Sequence, residues 1–187
     1  SRHAVQGTAD DQAAVSGGGL DFSGADPEDH YDIAESTGYI NPGGTNAFTI
    51  AFVAKRDGDT DDNAIIGGDN LAKYLAFLSE ENITYRSTDD TSSFIFATDT
   101  WAKDEQFLCT ITKDTSGNFL FFKNGVSISP SISGTHPNTD VSFSTVRLLG
   151  ARWAGSATNS FTWDGIIYEV VMYDTQLTGG NLTNLNS

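Results

Sequence analysis

The sequence predicts an all-β fold, a sandwich or barrel of antiparallel strands, on three observations. Short apolar or alternating segments recur along most of the chain, and each is bounded by turn-forming residues such as Gly, Asn, Asp and Ser. This spacing is typical of sandwiches and barrels. The pair Asn124-Gly125 lies between two such segments, as expected of a hairpin turn. Helical periodicity is almost missing, so no long helix is expected.

The strands are expected to begin near Leu20 and to end near Tyr173. The clearest is 48–54, where Phe48, Ile50 and Phe52 alternate with smaller residues. Since Asn-Gly supplies the positive φ angles of a type I′ turn, the strands on either side of it should be antiparallel neighbours. The leucines from Leu177 to Leu185 predict one short helical turn over an end of the sandwich. The predicted strand segments are 20–22, 31–34, 48–54, 64–66, 74–78, 83–85, 94–97, 107–112, 119–122, 126–128, 141–149 and 166–173.

Residues 1–18 differ from the rest of the chain. They hold few large apolar side chains and end in a glycine run, which indicates an arm or linker. We therefore predict one domain over residues 19–187, preceded by an arm that attaches it to a neighbouring domain or to a particle surface.

The net charge limits the partners. Asp and Glu outnumber Lys and Arg by 25 to 10, which gives a net charge of −15. Such a chain repels phosphate backbones and anionic lipids, so nucleic acid is excluded as a partner. The alternative to a specific cationic partner is that the charge serves solubility. Membrane insertion is also excluded, because no apolar run approaches the ~20 residues of a spanning helix.

The single cysteine, Cys109, shares a predicted strand face with Phe107 and Ile111. A free cysteine of this kind usually packs as a small apolar side chain. One cysteine cannot form a disulfide framework, so core packing is the expectation.

Four segments together carry a resemblance to a known family. They are residues 19–24 followed by 31–33, residues 48–53, the hairpin 118–126, and residues 165–174 leading to Leu177 and Thr178. In this order they resemble the laminin-G-like jelly roll of the concanavalin A-like lectin and glucanase superfamily, over residues 19–185. The resemblance implies two antiparallel sheets in a jelly-roll sandwich, with ligands at a concave face or at the loop rim.

Two residues depart from that family's pattern. A tryptophan usually precedes directly the strand that is 107–112 here, whereas Trp101 lies six residues earlier. Tyr168 stands where an acidic residue is common. The fold by itself does not identify a ligand, since it hosts lectins, hydrolases and structural parts of virions.

Catalytic groups are sought and not found. Superfamily members that cleave β-glucans use two glutamates on one strand, and retaining hydrolysis needs carboxyls about 5 Å apart. The comparable acids here, Glu169 and Asp174, are five positions apart and should face opposite sides. No serine sits in a Gly-x-Ser-x-Gly motif. We therefore expect no enzyme.

Asp57, Asp59 and Asp61 form the densest group of oxygen ligands and would suit a hard cation such as calcium. The run lacks the glycine and the final glutamate of an EF-hand loop, so no cofactor is required by the pattern. The alternative is a solvated hairpin loop.

Candidate glycan-binding residues are aromatic and arginine side chains near strand ends. Trp153 follows Arg152 where a strand gives way to a flexible loop, and the two could stack on a sugar and bind its hydroxyls. Tyr74, Tyr85 and Arg86 could line a concave face. The alternatives are that Trp153 caps the core and that the strand aromatics pack across a sheet.

Two function classes remain open. The first is a lectin-like or adhesion module that binds a glycan or surface protein, displayed extracellularly or on a virion. The second is a structural decoration or appendage domain of a phage particle, with no small ligand. A glycosidase is the least favoured, because the acid pair is missing.

Overall fold

The computed structural model is a two-sheet β-sandwich, and its described residues include one short helix. It describes residues 4–5, 14–22, 31–33, 46–57, 63–67, 74–79, 82–86, 94–133, 148–150 and 163–187. The strands are β1 Ala4–Val5, β2 Ala14–Ser16, β3 Gly19–Asp21, β4 Tyr31–Ile33, β5 Phe48–Arg56, β6 Asn63–Gly67, β7 Tyr74–Ser79, β8 Asn82–Arg86, β9 Phe94–Thr98, β10 Gln106–Lys113, β11 Phe119–Lys123, β12 Val126–Ile128, β13 Pro130–Ser133, β14 Leu148–Leu149 and β15 Gly165–Tyr173, and the helix is α1 Gly179–Leu185.

The strands form two sheets whose described pairings are all antiparallel. Sheet A has the order β1-β4-β14-β6-β7-β8-β9-β13, and sheet B has the order β12-β11-β10-β5-β15-β3-β2. Neighbours in both sheets are often far apart in sequence, as in β5 with β15 and β14 with β6. The expected all-β class and the two antiparallel sheets of the expected sandwich are confirmed.

The core lies between the sheets and follows from strand alternation. In β5 the side chains of Phe48, Ile50 and Phe52 belong to the core cluster, and in β10 Phe107, Cys109 and Ile111 do so. Successive residues of a strand point to opposite faces, so the intervening residues of β5 and β10 lie on the outer face of sheet B. The expected core position of Cys109 is confirmed.

Aromatic rings fill the centre of the core. The Phe77 ring centroid lies 5.2 Å from that of Trp101, 5.7 Å from that of Phe107 and 5.8 Å from that of Trp163. Both tryptophans are almost fully buried. Trp101 thus fills the core from six residues before Phe107, and its displacement from the family position does not remove it from the interior.

Two predicted local elements are present. Phe119–Lys123 pairs with Val126–Ile128 across Asn124 and Gly125, whose φ angles are 49° and 79°, as a type I′ turn requires. The predicted helical turn exists as α1, none of whose residues is buried; it was expected over an end of the sandwich, whereas Leu185 lies beside Val53 and Leu108 on the outer face of sheet B. In the described part of the chain, no helix combines the length and apolar character needed to cross a bilayer.

The expected arm is corrected by the pairing of its described residues. Ala4–Val5 pairs with β4 at the edge of sheet A, and Ala14–Ser16 pairs with β3 at the edge of sheet B. These residues are therefore edge strands of the sandwich rather than a separate linker. An edge strand is held by backbone hydrogen bonds and can leave its side chains in water, as Val15 does at 83% exposure. The scarcity of apolar residues in 1–18 was therefore misleading.

Strand β13 was also missed by sequence reasoning. It begins at Pro130 and pairs with β9 at the other edge of sheet A, a position that tolerates proline because one side of the strand needs no donors. Of the predicted strand 141–149, only Leu148 and Leu149 lie within the described residues.

Candidate functional site

The predicted glycan-binding residues fall in different places. Arg152 and Trp153 lie outside the described residues. The chain leaves β14 at Gly150 and is described again at Trp163, and the Trp163 N–H donates to the Gly150 carbonyl at 2.6 Å. The two ends of the intervening segment are thus held together beside sheet A.

Tyr85 was expected to line an outward face, and this expectation is corrected. Its side chain is 1% exposed, and its ring centroid lies 5.1 Å from that of Phe119 and 5.4 Å from that of Phe48. Tyr85 points inward because it shares strand parity with the core residue Ile83. Of the two interpretations considered, packing across the sandwich is the one observed.

Arg86 lies on the opposite side of sheet A from Tyr85, as the next residue of β8. Its side chain is 7% exposed, and the register pairs it directly with Tyr74 of β7. The structure therefore pairs two of the predicted residues, Tyr74 and Arg86, as cross-strand neighbours, whereas the side chain of Tyr85 lies in the core.

Only one of the three predicted calcium ligands is within the described residues. Asp57 follows β5 and its Oδ1 lies 2.6 Å from Lys55 Nζ. Lys55 Nζ also lies 3.7 Å from Asp104 Oδ1, and its pKa is raised, chiefly by the hydrogen bond to Asp57. Asp59 and Asp61 lie outside the described residues. Within the described ranges, no three His, Cys, Asp or Glu residues are grouped to hold a metal.

The outer face of sheet B carries a groove that sequence reasoning did not predict. Directly paired residues of β10, β5 and β15 form rows across the sheet, one of them Leu108, Val53 and Glu169, and such partners share a face. A groove of about 400 Å³ lies over this row, a size typical of small-ligand sites.

The C-terminal segment forms one wall of this groove. Thr49 Oγ1 donates to the Thr175 carbonyl at 2.9 Å and accepts from the Leu177 N–H at 2.8 Å. These bonds fix the segment over sheet B before α1 begins, so that Leu185 and Ser187 line the groove. At the far end the chain passes so close to Gly125 that a Cβ there would lie 2.9 Å from the Asn186 carbonyl oxygen.

A second groove of about 330 Å³ lies beside the first, between β15 and the β2–β3 hairpin. Val15, Leu20 and Tyr168 line it, and Glu169 lines both grooves. Among the described residues lining the two grooves, Glu169 carries the one acidic side chain. A single carboxylate does not make the acid pair that glycoside hydrolysis uses.

The sequence offers one hint of this site. Tyr168-Glu169 departs from the family pattern, with tyrosine where an acid is common. What places the two residues beside the grooves is a register shift between Ile167 and Glu169, which residue types alone do not reveal.

Comparison with known proteins supports the fold. No family model matches the sequence, and no curated protein matches it at a significant level. Solved structures do match. The carbohydrate-binding module (CBM40) of the Ruminococcus gnavus IT-sialidase, bound to α2,3-sialyllactose, superposes with a TM-score of 0.67 at 15% identity, covering 90% of this chain and 95% of that one.

Two further structures show the same architecture. Domain 4 of the extracellular arabinanase AbnA from Geobacillus stearothermophilus, in complex with arabinotriose, has a TM-score of 0.57 at 14% identity over 84% of this chain and 72% of its own. A structure concerned with ganglioside-dependent cell entry of botulinum neurotoxin type C has a TM-score of 0.56 at 15% identity over 84% of this chain and 39% of its own. The shared feature is the concanavalin A-like lectin fold.

Proposed function

We propose that this domain is a carbohydrate-binding module that acts without catalysis. The proposal depends on the nearly end-to-end correspondence with a sialidase carbohydrate-binding module, which covers 90% of this chain. Domain 4 of the arabinanase and the neurotoxin structure are likewise associated with glycans, arabinotriose and gangliosides. At these identities the neighbours support the class of ligand and leave the particular sugar open.

We keep as proposed glycan contacts those predicted residues that the structure does not place in the hydrophobic core. Tyr74 and Arg86 are cross-strand neighbours in sheet A, and the segment with Arg152 and Trp153 starts and ends beside that sheet. A guanidinium binds planar anionic groups and hydroxyls, and an indole stacks on sugar faces. We propose that Tyr74, Arg86, Arg152 and Trp153 contribute to glycan binding, without Tyr85.

We further propose that the domain works outside the cell, on a secreted protein or a surface. The arabinanase neighbour is described as extracellular, and the net charge of −15 favours solubility at a surface. Because residues 4–5 and 14–16 are edge strands of the sandwich, we propose that the connection to a neighbouring domain or particle is made by the chain before residue 4.

A glycan array probed with the whole chain tests the proposal. We expect binding of at least one glycan class with no release of reducing ends. Trp153→Ala should weaken that binding by about 1–3 kcal/mol, as for an aromatic hot spot at a rim, and should leave the melting temperature unchanged. An array without any bound glycan would refute the proposal and favour a structural appendage, and hydrolysis of a bound glycan would refute its non-catalytic part.

A further inference from the structure

A β-bulge determines where Glu169 points. Ile167 pairs with Ala54 and Glu169 pairs with Val53, so Tyr168 is an extra residue in β15. In a regular strand without the bulge, Glu169 would lie two residues after Ile167 on the same face and would enter the core. The bulge instead places Glu169 on the outer face of sheet B, opposite Val53. A carboxylate is thus presented at the junction of two grooves.

The first groove combines an apolar floor with a polar rim. Val53, Leu108 and Val171 supply partly buried aliphatic surface, and Gln106, Asn124 and Glu169 supply polar groups at its edges. Asn124 Oδ1 accepts the Leu108 N–H at 2.8 Å, which fixes the side chain and leaves its NH₂ group as the remaining donor. Carboxylate and amide groups above an apolar surface match the hydroxyls and the C–H faces of a sugar ring.

The second groove adds an aromatic ring. Tyr168 is partly exposed, and a Cβ on Gly19 would lie 3.1 Å from its Cδ1. The absence of a side chain at Gly19 therefore lets the ring lie close against the β2–β3 hairpin. Because Glu169 lines both grooves, one extended ligand could contact Tyr168, Glu169 and Leu108 in turn.

The charge of the region selects against anionic ligands. Lys55 is the cation nearest this row in β5, and it pairs with Asp57 and Asp104. Glu169 belongs to neither of these ion pairs, and the whole chain carries a net charge of −15. A carboxylate or sulfate on the ligand would be repelled here.

We propose that the groove on the outer face of sheet B and the adjoining groove between β15 and the β2–β3 hairpin together form a separate binding site for a neutral oligosaccharide, with Glu169 accepting from sugar hydroxyls and Tyr168 stacking on a ring. The site rests on the proposed function for its class of ligand. It differs from the sheet A residues in position and in its preference for uncharged sugars.

The test is a titration of the ¹⁵N-labelled whole chain, followed by NMR, with lactose and arabinotriose as neutral probes and sialyllactose as the charged counterpart. We expect saturable shifts at the amides of Leu108, Glu169 and Val171 with a neutral probe, and weaker or no shifts there with sialyllactose. Glu169→Gln and Tyr168→Ala should each weaken neutral-probe binding at least tenfold. Asp174→Asn, the same change of charge just beyond β15 and outside both grooves, should alter it by less than twofold.

The outcomes separate this site from the general function. Neutral-probe shifts confined to sheet A residues such as Arg86, or unchanged affinity in Glu169→Gln, would overturn the groove and leave glycan binding in place. Equal binding of lactose and sialyllactose in the groove would overturn the charge preference and so the proposal as stated. No binding of any glycan, on the array or by NMR, would overturn both proposals.

Discussion

Replacing Lys113 by an apolar residue should raise the free energy of unfolding. It ends β10 with the parity of Ile111, so its side chain points into the sandwich and is 1% exposed. Its Nζ lies 6.0 Å from the centroid of the Phe48 ring. Burial lowers the pKa of Lys113 to about 8 from an ordinary value of 10.5, against a smaller opposite effect of Asp114. At neutral pH the amine of Lys113 is therefore charged in the folded protein although its burial disfavours the charged form.

The size of the effect follows from that pKa difference. A shift from 10.5 to about 8 corresponds to about 3 kcal/mol at ~1.4 kcal/mol per pKa unit. Lys113→Met keeps most of the side-chain volume and removes the charge. It also removes a cation–π contact of about 0.5–2 kcal/mol, so the net gain at pH 7 should be about 1–2.5 kcal/mol. For a domain of this size that raises the melting temperature by about 2–10 °C.

The gain should depend on pH in one direction. Below about pH 8 Lys113 is charged in both the folded and the unfolded states, and the native state bears the whole penalty. Between pH 8 and 10.5 the folded state releases the proton first, so the wild-type chain becomes more stable as the pH rises. Urea unfolding at pH 7 and pH 10 should therefore show a large advantage for Lys113→Met at pH 7 and little at pH 10.

Lys103→Met is the matched control, because Lys103 is exposed, and its effect on stability should be small. The reasoning would be refuted if Lys113→Met gave the same gain at pH 7 and pH 10. It would also be refuted if that variant were less stable than the wild type at pH 7.

Two further predictions concern the chain start and calcium. A chain beginning at Gly18 loses the backbone pairing of β1 and β2 but almost no buried apolar surface from Val15. Its melting temperature should therefore fall by about 2–8 °C, and its strand-rich circular dichroism spectrum should be unchanged. Complete unfolding of this shortened chain would show that the two edge strands are indispensable. If Asp57, Asp59 and Asp61 bind calcium, added calcium should raise the melting temperature and Asp59→Asn should abolish the rise, whereas insensitivity to calcium and to a chelator would leave Asp57 simply paired with Lys55.

Sequence reasoning located the interior strands well, because one side of each is buried. Phe48, Ile50 and Phe52 can reach the core together only if the chain is extended, and β5 was found within two residues of its observed end at Arg56. The Asn124-Gly125 turn was equally visible, since its positive φ angles restrict the residue types.

The edge strands and the grooves could not be predicted from the sequence, because they depend on backbone pairing rather than on a pattern of buried side chains. Strands β1 and β2 are held by backbone hydrogen bonds, which leave no pattern of side chains. Tyr85 has a residue type compatible with either face, and only the register of β8 places it inward. The bulge at Tyr168 depends on how β15 pairs with β5, so the site at Glu169 required a structure.

Because Cys109 is buried, its reaction with a thiol reagent can be used to measure local opening of the folded protein. The thiol is 0% exposed, so a disulfide reagent cannot reach it in the folded protein. Burial also raises the pKa of Cys109 well above its ordinary value, so little of the reactive thiolate is present. This is the one cysteine in the chain, and it lies in β10, between β5 and β11. A molecule is therefore labelled only after β10 has moved away from the core. The rate of thiol labelling under native conditions therefore measures how often the centre of sheet B separates from the core.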